Sequence, residues 1–207
     1  QEQKLKTGAA TAMGMRAFLS ANRYGLYDLK KEGWKPIPAI DGMPEMAFVD
    51  GGNACVIRTP AAELHKVRTA VVVVSGKKIK AVKQKEGYVL VRAQVAEGKL
   101  KCRTEVFDSN LDYKGNLEIE AHSLGNGQET PLGKAAKTAR KLSELAAARE
   151  AASMLKGENK FVVLDGTLET FGSEEKKEME TLQAEAAVRD VKLGAVAKTC
   201  SLLTDNW

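Results

Sequence analysis

The sequence predicts an α/β fold in which an antiparallel meander precedes βαβ units, with helices packed on a mixed sheet. Short runs rich in Val and Ile, joined by glycine-containing turns, occupy residues 46–107 and predict the meander. Residues 132–156 combine Ala, Leu, Lys and Glu without proline and predict a helix. Segments 161–165, 173–188 and 191–197 then predict strand, helix and strand, the pattern of parallel strands buried behind helices.

Composition restricts the class of protein. The chain has 207 residues, 43% hydrophobic and 29% charged, which is typical of globular proteins and excludes disordered, collagen-like and disulfide-scaffold classes. Cys55, Cys102 and Cys200 are widely spaced and form no CxxC pair, which argues against a disulfide framework and a zinc knuckle. The formal net charge of +5 suits a polyanionic partner without requiring one.

The first 44 residues differ in character from the remainder. Phe18 and Leu19 among small residues predict a helix over about the first 30 residues, and three prolines then predict extended chain as far as Pro44. We therefore expect an N-terminal helical and extended segment at 1–44 and a second domain at 45–207.

The chain lacks the apolar segments that membranes and secretion require. Its N-terminus is polar, unlike a secretory signal, and its longest apolar runs are too short to cross about 30 Å of hydrocarbon. These features predict a cytoplasmic protein that does not span a membrane.

Seven short strands are expected within the meander and its edge. Gly76, Gly87 and Gly98 mark three tight turns, because glycine adopts the positive φ that close hairpins need. The expected strands are 46–50, 54–58, 69–75, 77–84, 88–95, 100–107 and 117–121.

The two helices have recognisable ends. Gly157 ends the first. The second begins at Ser173, where two following glutamates favour a helix N-terminus through the dipole, although Lys176 replaces the Glu of a strict capping box.

Two apolar segments each lead into Asp-Gly, at Asp50 and at Asp165. Asp-Gly is also a common turn, but two such segments predict strands that end in a carboxylate, at the edge where α/β sheets bind ligands. If the strands are parallel neighbours, both carboxylates emerge together, and a divalent cation would neutralise them. The pattern therefore predicts a site for a hard metal ion.

Distances along the chain suggest a third ligand. Strand 160–165 covers about 17 Å at roughly 3.3 Å per residue. Running back along the preceding helix, Glu144 lies about 18 Å from the helix end and returns level with Asp165, whereas Glu150 lies about 9 Å from it. Glu144 is the preferred ligand and Glu150 the backup, with a solvated helix face as the alternative for either. Lys198, at the end of the last strand, emerges at the same edge if that strand is parallel.

Four segments resemble the NurA nucleases. They are VDGG at 49–52, the helix with Arg140 and Glu144, VLDGTL at 163–168, and GAVAKT at 194–199. The resemblance covers residues 45–204, and Gly52 departs from the Ser that is more usual there.

The resemblance implies an RNase H-like fold and a manganese-dependent DNA nuclease. Such an enzyme acts in DNA end resection and repair, as a 5′ to 3′ exonuclease and single-strand endonuclease, and forms a homodimer that works with the hexameric ATPase HerA. Asp50, Glu144 and Asp165 become ligands of two Mn²⁺ or Mg²⁺ ions in two-metal hydrolysis, with Glu150 as the backup ligand. Lys198 becomes a supporting catalytic residue.

The resemblance stops before the family's C-terminal portion, which contributes a histidine to the metal site. The chain ends at Trp207, and His65 and His122 come too early to match and are interpreted as surface or loop residues. We therefore expect an incomplete nuclease domain. Two alternatives are a non-catalytic basic α/β module that binds DNA or a partner, and another RNase H-like nuclease of Argonaute or resolvase type.

Overall fold

Alternating apolar side chains build a mixed, curled seven-stranded sheet that packs with two helices, which confirms the predicted α/β class. The computed structural model describes residues 15–18, 26–29, 42–121, 130–197 and 203–204. The chain divides into two units, Gln1–Asp41 with Lys198–Trp207, and Gly42–Ala197.

In the first unit, the described residues are strands where a helix was predicted. β1 (Met15–Phe18) pairs antiparallel with β2 (Leu26–Leu29) and with β10 (Leu203–Thr204). The helix prediction is wrong for these residues because one strand partner comes from the other end of the chain. The local spacing of apolar side chains contains no sign of such a long-range pairing.

The antiparallel meander is present, with longer strands than predicted. Adjacent members pair antiparallel. The expected strands 46–50 and 54–58 are one strand, and so are 77–84 and 88–95. The meander consists of β3 (Glu45–Arg58), β4 (Ala62–Ser75), β5 (Lys78–Ala96), β6 (Lys99–Phe107) and β7 (Glu118–Glu120).

One of the three predicted turns is wrong. Gly76 and Gly98 have the positive φ of a tight turn, +58° and +72°, but Gly87 lies inside β5 and pairs with Val67 of β4. A Cβ at Gly87 would lie 3.0 Å from the Cα of Ser109. Glycine is therefore needed there for the close approach of a neighbouring segment.

The second half of the sheet is parallel. α1 (Pro131–Met154) precedes β8 (Lys160–Asp165), and α2 (Ser173–Val188) precedes β9 (Val191–Val196). β8 pairs parallel with both β3 and β9, so the strand order is β7-β6-β5-β4-β3-β8-β9. The observed bounds of these helices and strands closely match the predicted ones, because the composition of each segment favours one local conformation.

The two helices begin differently. Thr130 caps α1, and its hydroxyl accepts a hydrogen bond of 3.1 Å from the Gly133 amide. The capping box predicted at Ser173 is wrong, because the N-cap of α2 is Gly172 and has no side-chain hydrogen bond. Glu175 reaches back instead and accepts a 2.8 Å hydrogen bond from the Phe171 amide.

Both helices share one buried cluster with the central strands. Ala47 and Val49 of β3 and Val162 of β8 are buried with Leu145 of α1 and Leu182 of α2. The intervening strand residues face away from the helices. In the described part of the chain, neither helix combines the length and the apolar character needed to cross a bilayer.

Candidate functional site

The two predicted aspartates lie side by side on neighbouring parallel strands. The parallel ladder between β3 and β8 ends with Val49 opposite Leu164, and Asp50 and Asp165 are the next residues of their strands. Asp50 is exposed and Asp165 half-buried. The structure thus brings the two carboxylates to one place in the sheet, as parallel neighbours require.

Asp50 does not end its strand, and that part of the prediction is wrong. β3 continues through Gly51 and Gly52 to Arg58 because β4 remains paired with it, as far as Arg58 opposite Glu63. Asp50 therefore lies where β3 loses its parallel neighbour and keeps its antiparallel one. Only β8 ends at its aspartate.

Glu144 of α1 lies against the backbone of β3. It is only 4% exposed, and a Cβ placed on Gly51 would lie 2.6 Å from both its Cγ and its Oε1. The sequence interpretation treated Gly51 as a turn residue. Its actual role is to leave space for the Glu144 carboxylate beside Asp50.

Two basic residues of α1 hold the Glu144 carboxylate in place. Arg140 donates one hydrogen bond to the Gly51 carbonyl, at 2.9 Å, and another to Oε1 of Glu144. Lys141 Nζ lies 3.7 Å from the other carboxylate oxygen. Arg140 thus joins α1 to β3 at Gly51, the residue that follows Asp50. Its four-residue spacing from Glu144 was the signal in the sequence.

Burial controls the protonation of Glu144. It raises the pKa of this carboxyl to about 7 because removal from water disfavours the charged form. The Arg140 and Lys141 charges lower that pKa, while the charges of Asp50 and Asp165 raise it. Glu144 therefore interacts electrostatically with both aspartates, although burial remains the main cause of its raised pKa.

The raised pKa predicts that the metal-free protein loses stability as pH rises. Between pH 4.5 and 7 the folded state binds more protons than the unfolded state, so the free energy of unfolding falls across this interval, by about 3 kcal/mol from this group. Glu144→Gln has no proton to lose. The difference in free energy of unfolding between Glu144→Gln and the wild type should therefore shift by about 3 kcal/mol in favour of the variant from pH 4.5 to pH 8. Urea unfolding in EDTA measures this shift.

Glu150→Gln provides a matched control of opposite sign. The hydrogen bond from Lys85 holds the pKa of Glu150 below its usual value, and Lys83 lowers it further. These effects outweigh burial, which raises this pKa. This group adds stability above its unfolded pKa, and that stability is lost as pH falls. The substitution Glu150→Gln should therefore lower the free energy of unfolding more at pH 8 than at low pH. Parallel pH profiles for the two variants would contradict the assignment.

The other two predicted site residues have different outcomes. Glu150 is not with the aspartates: it pairs with Lys83 and Lys85 of β5, at 3.0 and 2.8 Å. Helix rotation explains this, since Glu150 projects over the meander and not toward β8. Lys198 lies outside the described residues.

The interpretation of His65 also needs correction. His65 is not a surface residue; it is 3% exposed inside β4 and has Glu63 beside it. The strand was predicted to begin only at residue 69, so the alternation of Glu63, His65 and Val67 on its buried face was missed. Cys55 is exposed and Cys102 buried. His122 and Cys200 lie outside the described residues.

The donor set at the aspartates fits a hard divalent cation. Asp50, Glu144 and Asp165 offer only oxygen ligands, which Mg²⁺ and Mn²⁺ prefer. After burial, the charges of Asp50 and Asp165 also raise the pKa of Glu144, and a bound cation would relieve that repulsion. These three residues are the ones that would hold it.

Comparisons with known proteins add no assignment to this geometry. No family model, no curated protein and no solved structure matches the chain. The functional conclusion therefore depends on the chemistry of the site.

Proposed function

We propose that this protein is a divalent-metal-dependent deoxyribonuclease that hydrolyses phosphodiester bonds at Asp50, Glu144 and Asp165. One observation carries the proposal: Asp50 and Asp165 directly follow the last paired residues of the parallel β3–β8 ladder, and their charges act on the buried Glu144 of α1, whose pKa burial raises to about 7. Clustered carboxylates of this kind bind the ions that assist phosphoryl transfer.

The topology supports a specific version of this fold. β3 to β5 form an antiparallel meander, and β8 and β9 add parallel strands through α1 and α2. This is the arrangement expected for an RNase H-like domain, and the acids occupy its first strand, its first helix and the strand that follows. We therefore include the RNase H-like fold and NurA membership in the proposal.

The residues of the chain have separate tasks in this proposal. A bound divalent ion supplies an activated water and neutralises charge on the phosphate. Asp50 and Asp165 would hold that ion from two adjacent strands, and the exposed Asp50 is accessible to substrate. Arg140 keeps Glu144 aligned with them through the Gly51 carbonyl. Lys198 is proposed as a supporting residue near the scissile phosphate.

Basic side chains on the same sheet face are suited to DNA. Lys66 and Arg68 alternate with buried Val67 on β4, so they point to the face away from the helices, as Asp50 does on β3. Both pair with Glu86, at 3.0 and 3.1 Å, and phosphates would compete for them. Such contacts give salt-dependent affinity without sequence preference.

The remaining features come from the resemblance, except the location, which was predicted from the polar N-terminus and the short apolar runs. We include in the proposal 5′ to 3′ exonuclease and single-strand endonuclease activity in DNA end resection, a homodimer, a HerA-type ATPase partner, a cytoplasmic location and two Mn²⁺ or Mg²⁺ ions. Each is separable from the proposal that the carboxylates bind metal.

Cleavage of labelled linear duplex and single-stranded DNA tests the proposal. With Mn²⁺ or Mg²⁺ we expect cleavage, and with EDTA or in Asp165→Asn we expect none. A folded wild-type protein that binds DNA but cuts neither substrate with either ion would favour the non-catalytic binding module. Cleavage that persists in Asp165→Asn would place the active site elsewhere.

A further inference from the structure

A second group of potential metal ligands lies at the far end of the β3–β4 hairpin. Cys55 of β3 lies directly opposite His65 of β4, and Glu63 is two residues from His65 on the same strand. One ligand atom from each of the three lies within 4.8 Å of the other two. We call Cys55, Glu63 and His65 the hairpin cluster.

Glu63 is a buried carboxylate with one oxygen directed into the cluster. It is 1% exposed. Its Oε1 forms a 2.9 Å salt bridge with Nε of Arg58 and accepts a 3.1 Å hydrogen bond from the Thr130 hydroxyl. Its Oε2 lies 2.8 Å from His65 Nε2. Although burial raises the pKa of this carboxyl, hydrogen bonds from His65 and Thr130 and the Arg58 charge lower it overall, so Glu63 is available as an anion.

The His65 ring is oriented from its other side. Its Nδ1 lies 3.1 Å from the Asn53 amide nitrogen, an arrangement in which Nδ1 accepts and Nε2 carries the proton donated to Glu63. If a cation takes Nε2, the proton moves to Nδ1, and rotation of the Asn53 amide presents its oxygen as the acceptor. Histidine ligands of metals typically donate their second ring N–H in this way.

We propose that the hairpin cluster binds Zn²⁺. Sulfur, nitrogen and one carboxylate oxygen form a ligand set that zinc accepts, and three protein ligands leave a fourth position for water. Ligand atoms around one tetrahedral zinc ion lie roughly 3.3 to 3.8 Å apart, so Glu63 Oε2 and His65 Nε2 must separate from their present 2.8 Å and the Cys55 sulfur must move to match them. Cys55 can make that movement because it is the exposed member.

This site differs from the carboxylate site in chemistry and in position. Its thiol and imidazole favour zinc over Mg²⁺ or Mn²⁺, which prefer oxygen ligands. Through Thr130, which caps α1, Glu63 also connects the hairpin end to the helix that carries Glu144. Because an ion that binds only the folded state stabilises that state, zinc should raise the melting temperature of the protein.

Titration with Co²⁺ alone and with Zn²⁺ alone tests the proposal in the metal-free Asp50→Asn, Asp165→Asn protein of 207 residues. These substitutions remove the two strand aspartates from the carboxylate site, and the result does not depend on nuclease activity. We expect one Co²⁺ per chain with a thiolate charge-transfer band, and displacement of Co²⁺ by Zn²⁺. Adding Cys55→Ser, an exposed change, should abolish the band and weaken Zn²⁺ binding about 100-fold or more.

Cys102→Ala in the same background is the control and should keep the band, because Cys102 is buried in the core away from the cluster. His65→Gln provides a second ligand variant, with folding checked by circular dichroism. A band absent from the parent protein, or one that survives Cys55→Ser, would overturn the proposal. So would Cys55 alkylation at the same rate with and without Zn²⁺, since a coordinated thiolate is protected.

Discussion

Replacing Asp50 with Asn is expected to lower metal-dependent DNA cleavage about 1000-fold. Asn keeps the size of the side chain and removes the negative charge that would hold a cation between β3 and β8. Loss of about 4 kcal/mol of transition-state stabilisation, the size of effect that a metal ion supplies, corresponds to this factor. Single-turnover cleavage of an end-labelled duplex with saturating Mn²⁺ measures it.

The same substitution should not weaken the fold. Asp50 is exposed, and its charge is one of those that raise the pKa of Glu144, so its removal relieves repulsion. Asp190→Asn is the matched control: Asp190 directly precedes β9, at the opposite end of the parallel strands from Asp165. Its φ of +52° suits Asn. Equal loss of cleavage in both variants would indicate a general charge effect and would contradict a metal site at Asp50.

Gly51→Ala is expected to reduce cleavage about 100-fold although it adds only one methyl group. That methyl would lie 2.6 Å from Cγ and Oε1 of Glu144, so the carboxylate must move. A displacement of about 1 Å in a catalytic group costs on the order of 100-fold in rate. The cleavage rate and the Mn²⁺ affinity should fall together, because Glu144 loses its alignment with both aspartates.

Gly52→Ala separates this steric effect from a general effect of losing glycine in β3. A Cβ on Gly52 meets no atom within 4 Å, so cleavage should stay within about twofold of the wild type. If Gly51→Ala also leaves the rate and Mn²⁺ affinity unchanged, Glu144 does not serve as a ligand. Measuring both variants by urea unfolding shows whether the activity loss exceeds any loss of stability.

The sequence was a good guide to elements with a local signature. The helix at Pro131–Met154 and the parallel strands β8 and β9 were predicted because alanine-rich and β-branched compositions each favour one local conformation. Strand lengths were not predictable in the same way. Gly87 resembled a turn, yet its pairing with Val67 of β4 and the close approach of Ser109 keep it within β5.

The candidate site was partly accessible from the sequence for the same reason. Asp50 and Asp165 followed apolar runs, and the rise of a helix and of a strand placed Glu144 near them. The contributions of Arg140 and Gly51 depend on the tertiary packing of α1 on β3, which no local pattern contains. The burial of His65 was missed because Glu63, Lys66 and Arg68 make that strand segment look solvent-exposed.

The double pairing of β3 has a consequence for how the protein acquires activity. β3 meets β4 through a short hairpin, but it meets β8 only after more than half of the chain has intervened. Contacts between residues so distant in sequence form late, because the entropy of closing the intervening loop must be overcome first. We expect the meander to assemble before β8 docks, so Asp165 joins Asp50 only near the end of folding. A nascent or partly folded chain therefore lacks an assembled carboxylate site, and under the proposed function it would not yet cut DNA.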